Sequence, residues 1–340
     1  MTRSTHPLSV TVAGAGIAGL WQALTLARAG HRVRLIEESA EPFAAAASAY
    51  AGAMLAPFCE DEGAEPVVRD LGIAAMAVWQ DTYPGTIAHG SLVVAAPRDR
   101  AEIARFARMT HGHEAVAAER IGALEPDLGG RFDAGLFYAG EAHVAPLAAM
   151  TFLLEEARRV GVEARFGTPW RPRPAGDNEY IIDCRGLAAR DALPDLRGVR
   201  GERLVVRARD IALTRPVRLL HPRHPLYVVP WGEHRFMLGA TVIESDDARP
   251  ITVRSALELL GMAYALHPAF GEAEILDAGA GVRPAFADNV PHIVVEGRTL
   301  HVNGMFRHGF LLAPVLARLV ADYLADGAMD DRVFRVRSTG

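Results

Sequence analysis

Between Ala13 and Leu20 the chain reads Gly-Ala-Gly-Ile-Ala-Gly, and no other stretch restricts the fold as strongly. Leu8–Ala13 before it is rich in β-branched residues and reads as a buried parallel strand. Ile17–Ala29 after it reads as a helix stopped by Gly30. Arg32–Ile36 is the next strand, and Glu37 ends it. The whole is a βαβ unit in about 30 residues. Gly14 permits a tight turn, Gly16 lets backbone approach a pyrophosphate, and Gly19 lets helix and strand pack closely. The helix N-terminus offers phosphates its free N–H groups and a partial positive charge. Glu37 is placed to accept hydrogen bonds from a ribose diol and would repel a 2′-phosphate, which disfavours NADP. The loop by itself does not separate FAD from NAD.

Composition narrows the chemistry. All 36 positive residues are arginine, which excludes a P-loop lysine, a pyridoxal Schiff base and any lysine nucleophile. A net charge of −5 without a basic block argues against nucleic acid as a partner. Cys59 and Cys184 are the only cysteines, too few for a zinc cluster, and they point to a reducing, cytoplasmic compartment. His111-Gly-His113 and His221-Pro-Arg-His224 lack partners at ligand spacing, so no metal site is expected. Leu8–Ala27 carries no charge and is long enough to suggest a membrane span. Three fingerprint glycines and Gln22 divide it instead into a strand and a helix.

Further along, helices are expected at Ala64–Gln80, Ala101–His111, Val144–Val160, Thr252–Leu266 and Leu311–Leu324. Tyr180–Asp183 and Leu300–Val302 read as buried strands. Arg203–Arg209, Leu226–Val229 and Phe236–Thr241 alternate like antiparallel strands. Parallel signals at both ends and in the middle, with antiparallel ones between, imply a Rossmann-type α/β domain built from discontinuous segments. A second, antiparallel-sheet domain is inserted into it. Gly279-Ala280-Gly281 imitates a second fingerprint, but Pro284 occupies the third glycine position.

Two arginines and a tyrosine draw attention late in the chain. Arg283 sits in Gly-Val-Arg-Pro, and arginine binds a carboxylate through two parallel hydrogen bonds. Tyr227 heads the strand Tyr-Val-Val-Pro. Arg307 lies in the loop Gly304–Gly309, which opens the last helix and so forms another anion-stabilising end.

Taken together, these segments resemble the D-amino acid oxidase and glycine oxidase family of flavoproteins, most of all its members in bacterial thiamine biosynthesis. The similar stretches are Val12–Glu38, ASAYAGAMLAP (47–57), Leu124-Glu-Pro, the helix entry at Pro146, IIDCRGLAA (181–189), LYVVP (226–230), LGATVIE (238–244), GVRPAFADNVP (281–291) and GMFRHGFLLAP (304–314). The resemblance implies FAD held without a covalent bond. The residues expected to hold it are Gly14, Gly16, Ile17, Ala18, Gly19, Glu37, Glu38, Ser48, Ala53, Met54, Trp170, Cys184, Gly186, Arg283, Gly304, Phe306, Arg307, His308, Gly309 and Phe310. It implies that Arg283 pairs with a substrate carboxylate, that Tyr227 lies over the site, and that Arg307 stands near substrate and flavin. The FAD-binding domain then takes residues 1–80, 140–200 and 277–340, and the substrate domain 81–139 and 201–276.

The activity so implied is oxidation of glycine or a small D-amino or N-methyl amino acid to its imine. Hydride passes to flavin N5, oxygen becomes peroxide, and the imine is of use in making the thiamine thiazole. A dehydrogenase of the same fold, serving a non-oxygen acceptor, is the alternative. A flavin-binding interaction or tRNA-modifying module is another, disfavoured by the missing basic patch. An NAD dehydrogenase would leave the final 60 residues unexplained. No membrane span is expected, and a homo-oligomer is compatible with the sequence. Two departures stand out: Trp231 where the family usually has arginine, and Ala53 where it usually has glycine. The lack of lysine and of a late cysteine sets the chain apart from sarcosine-oxidase relatives.

Overall fold

The structure is a computed structural model that describes residues 7–337; the outer ends of the first and last segments, 1–6 and 338–340, lie outside it. Strand Ser9–Ala13 runs through the middle of a seven-stranded sheet. It pairs in parallel with Arg32–Ile36 on one side and with Glu179–Asp183 on the other. A strand from the first turn of the chain thus sits beside one some 170 residues later, which is the discontinuous assembly expected. Glu163–Arg165 extends one edge, and Thr299–Asn303, His292–Glu296 and Phe334–Arg337 extend the other.

Helix Ile17–Arg28 is buried along most of its length, from Ile17 to Leu24. The cause is cover on several sides. It packs on the sheet, against helix Gly309–Asp326 and against helix Pro146–Arg159. The uncharged run from Leu8 to Ala27 is therefore a central strand followed by a buried helix, both apolar because neither meets water. Among the described residues no helix is long and apolar enough to cross a membrane.

The second sheet has nine strands. Leu226–Pro230, Arg235–Gly239 and Arg197–Arg207 are antiparallel neighbours, as their alternation predicts. The last of these begins six residues earlier than the alternation suggests, at Arg197. The largest departure from expectation is strand Glu274–Ala285, which pairs with Arg197–Arg207 over nearly its full length. Its glycines, alanines and proline have low β-propensity and hide it. Those glycines have a local reason: the Tyr50 ring lies where a Cβ at Gly279 would go, and a Cβ at Gly281 would crowd the Tyr50 Cβ at 3.1 Å. The apparent second fingerprint is a bed for one aromatic ring. Helix Val253–Leu266, capped by the Thr252 hydroxyl, covers the back of this sheet with Leu259, Ala263 and Leu266.

Candidate active site

One cavity of about 820 Å³ is lined by residues from both sheets. Its first stretch lies beyond the carboxyl ends of Ser9–Ala13 and Arg32–Ile36, where open α/β sheets place their ligands. Gly14, Gly16, Ile17, Ala18, Glu37 and Glu38 line it there. Gly14 has φ +96°, and a Cβ on it would stand 2.7 Å from the Cys184 carbonyl oxygen. A Cβ on Gly19 would run into the Gly14 carbonyl. At Gly16 the nearest atom to an added Cβ is Ser48 Oγ at 3.5 Å, an ordinary contact. The fold therefore needs glycine at 14 and 19 but not at 16, where the open side is the cavity.

Ser48 Oγ accepts the Ile17 N–H at 3.2 Å and caps the helix from another segment. Glu37 braces the loop, accepting the N–H groups of Ala15 (2.7 Å) and Ser39 (3.0 Å). A carboxylate offers about four acceptor positions, so two remain for a ligand diol. Trp170 reaches the same stretch because the Thr168 N–H bonds the Glu37 carbonyl at 2.9 Å. Ser48, Ala53, Met54, Gly186, Phe306, Gly309 and Phe310 also line the cavity. Gly19, Cys184 and Gly304 do not. Gly19 and Cys184 shape the turn from behind, and Gly304 faces the Phe286 ring.

Ala53 carries φ +54°, a left-handed conformation that suits glycine. Ala53→Gly should raise stability by about 0.5–1 kcal/mol, or about 1 °C in Tm, read by thermal melting.

At the other end Tyr227, Arg283, Arg307 and His308 come together. Arg283 lies over Gly201 on the paired strand, where any Cβ would overlap its guanidinium. Its hydrogen-bond partner among the described residues is the neutral Thr241 carbonyl, at 3.2 Å. Burial, then the positive charge of Arg307, lowers its pKa to about 10 despite Glu60 nearby. Arg307 instead pairs with Glu60 at 3.1 Å. The Tyr227 hydroxyl donates to the same carboxylate at 2.6 Å. Burial alone would raise the Glu60 pKa, but Arg307, His308, Arg218 and the Tyr227 bond outweigh it and hold it at about 2. Burial, reinforced by Arg307 and Arg283 against Glu60, drops His308 to about 4, so its imidazole is neutral.

Glu60 and Arg218 were not expected from the sequence. Arg218 lies opposite Tyr227 in strand register, with its guanidinium 4.9 Å from that ring centroid and 2.7 Å from Glu62. Only the acidic run Glu60-Asp61-Glu62, so close to a cavity-lining segment, hinted at them.

Glu141, buried and far along the chain, holds the Glu60 loop. It accepts the N–H groups of Phe58 (3.0 Å) and Cys59 (2.6 Å) and contacts the Ser91 hydroxyl. Burial dominates these bonds and pushes its pKa up to about 8. A carboxyl raised in the folded state stabilises fully below its unfolded pKa and loses that contribution as pH rises through 8. Melting at pH 5, 7 and 9 should show wild type losing stability over that range, and Glu141→Gln losing less.

The helix Gly309–Asp326 opens directly on the cavity, with Phe306 at φ +48° turning the chain into it. Its N-terminus favours negative charge in the cavity. Among the described residues no cluster of His, Cys, Asp and Glu could hold a metal ion.

The model of the FAD dependent oxidoreductase family matches residues 9–323. A protein named for thiamine biosynthesis, the oxidoreductase ThiO of Rhizobium etli, is 52% identical over 321 residues, covering 92% of this chain and 95% of its own. The glycine oxidase of Geobacillus kaustophilus is 26% identical over 360 residues, covering 94% of this chain and 93% of its own. The crystal structure of a glycine oxidase from that organism superposes with a TM-score of 0.79 over 96% of this chain and 97% of that one, at 22% identity. An iminodiacetate oxidase from Chelativorans does so with the same score over 97% and 100%, also at 22%.

Proposed function

Because the chain belongs to the FAD dependent oxidoreductase family, we propose that it oxidises glycine or another small amino acid to the imine, in the cytoplasm, with oxygen as acceptor. The observation that carries this reading is Arg283: a half-buried guanidinium at the cavity wall whose hydrogen-bond partner among the described residues is a neutral carbonyl. A cation partly removed from water without an anionic partner is held at a cost, and a substrate carboxylate would supply that partner.

The residues present fit FAD. The cavity is long enough to run from Glu37 and Trp170 to Arg307, and Gly16 leaves room at a helix N-terminus for a diphosphate. Glu37 would hold the ribose diol, Ser48 would steady the loop, and the 306–310 turn would face the redox-active end. The 1–80, 140–196 and 286–340 segments would form the half that holds FAD, without a covalent bond; the bounds expected at 200 and 277 move because Arg197–Arg207 and Glu274–Ala285 are strands of the second sheet. Bound FAD supplies a two-electron acceptor for the α C–H bond.

The chain's own part is positioning. Arg283 would clamp the carboxylate, and Gly201 gives it the space to do so. Tyr227, its hydroxyl kept protonated by burial, and Arg307 would close the other side. Glu60, anionic throughout the neutral range, would face the amino group. Orientation and exclusion of water, without a protein base at the α-carbon, would supply the rate. The similarity to ThiO favours an imine destined for thiazole synthesis. The test is peroxide release from glycine, sarcosine and small D-amino acids. Absence of turnover with all of them, in oxygen and with an artificial dye alike, would refute the reading; turnover with the dye alone would reassign the acceptor.

A further inference from the structure

A second, smaller chamber of about 260 Å³ adjoins the large cavity. Glu60, Arg307 and His308 line both, so these three side chains are the partition between them. The outer walls are Gly63 and Met109, and Met109 is 40% exposed. We propose that this chamber is the vestibule through which the amino acid reaches the large cavity, with the Glu60–Arg307 pair as the movable partition. The proposal rests on the amino acid reading above and names the route for that substrate.

The charges suit a zwitterion. Glu60 and Glu62 face the chamber together with Arg218 and Arg307. An ammonium and a carboxylate each find an opposite charge there. Binding would be weak, because every one of these groups already has a partner. Glu62 is held by Arg105 and Arg218, each at 2.7 Å, and Glu60 by Arg307 at 3.1 Å. Arg283, beyond the partition, has no such anionic partner among the described residues and offers the stronger site. The difference in pairing draws the carboxylate inward.

The partition can also move at one point. Glu60 is fixed by the Tyr227 hydroxyl at 2.6 Å, whereas the Arg307 contact to that hydroxyl is long, at 3.3 Å. Arg307 is 30% exposed in its side chain, and its charge can follow an incoming carboxylate off Glu60. In the proposed complex FAD takes the glycine-loop stretch of the large cavity, which leaves the Glu60 end for small molecules.

Gly63 allows a direct test, since an added Cβ meets nothing within 4 Å among the described residues and its backbone is unstrained. Gly63→Phe should fill the chamber without disturbing the fold, and Met109→Trp should fill it from the other wall. Stopped-flow spectroscopy of the FAD-loaded protein would follow sulfite adding to the flavin and glycolate perturbing its spectrum. Blocking the route should slow association and dissociation of both probes by the same factor, tenfold or more, and leave Kd within twofold. Association within twofold of wild type in both variants would overturn the proposal. So would a changed Kd with unchanged association, which would mark the chamber as support for the site. Sulfite needs no amino acid chemistry. Slowed sulfite addition in a protein that oxidises no amino acid would keep the route and remove the functional reading.

Discussion

Arg283→Met should retain its yellow cofactor yet lose nearly all activity on amino acids. Truncating one member of a buried charge pair costs about 2–5 kcal/mol, a fall in kcat/KM of about 30-fold to several thousand-fold. Stability should move the other way. In the free protein Arg283 hydrogen-bonds a neutral carbonyl, and burial lowers its pKa to about 10, the mark of a cation held at a cost. Removing it relieves that cost, so Tm should rise by a few degrees, as when an activity-bearing strained group is replaced. Arg283→Lys should recover only part of the activity, since an ammonium lacks the planar fork. Gly201→Ala attacks the same group from the opposite strand, because its Cβ would stand where the guanidinium lies. It should weaken substrate binding without touching the substrate. The decisive measurements are kcat/KM by peroxide release and Tm by scanning fluorimetry. Activity within threefold of wild type would show that the carboxylate is held elsewhere.

The same residues show what the sequence could and could not reveal. The βαβ unit was legible because its signals are local: a β-branched run, glycines at fixed spacing, an acid at the end of the next strand. The antiparallel strands around Tyr227 and Phe236 were legible for the same reason. Strand Glu274–Ala285 was not, because its composition answers to Tyr50 and Gly201, which lie far off in the chain. Glu60 escaped for a related reason. An acidic run reads as solvated surface unless one knows that Tyr227, some 170 residues later, donates to it at 2.6 Å. Its loop is held by Glu141, whose role depends on burial that no local pattern announces. Local chemistry is written in local sequence; a partnership across the cavity is written only in the fold.

Gly16→Val should give a folded protein that cannot keep FAD. Gly16 has φ −70° and ψ −178°, extended backbone open to any residue, and its nearest outside neighbour would be Ser48 Oγ at 3.5 Å. The fold itself therefore pays no large penalty for a side chain at 16. The ligand would, because that side chain projects into the cavity at the helix N-terminus. Losing two hydrogen bonds to a charged group costs about 3–6 kcal/mol, a hundredfold or more in Kd. Purified protein should be colourless, and its Tm should match that of wild type stripped of FAD, since the binding contribution to stability is gone. Gly19→Ala should behave differently: its Cβ meets the Gly14 carbonyl, a backbone atom that cannot step aside, so helix and strand should separate and the protein lose stability with or without FAD. If Gly16→Val instead kept its colour at wild-type affinity, the diphosphate would have to lie away from the glycine loop. The contrast between neighbouring glycines thus separates what the fold requires from what only a cofactor would.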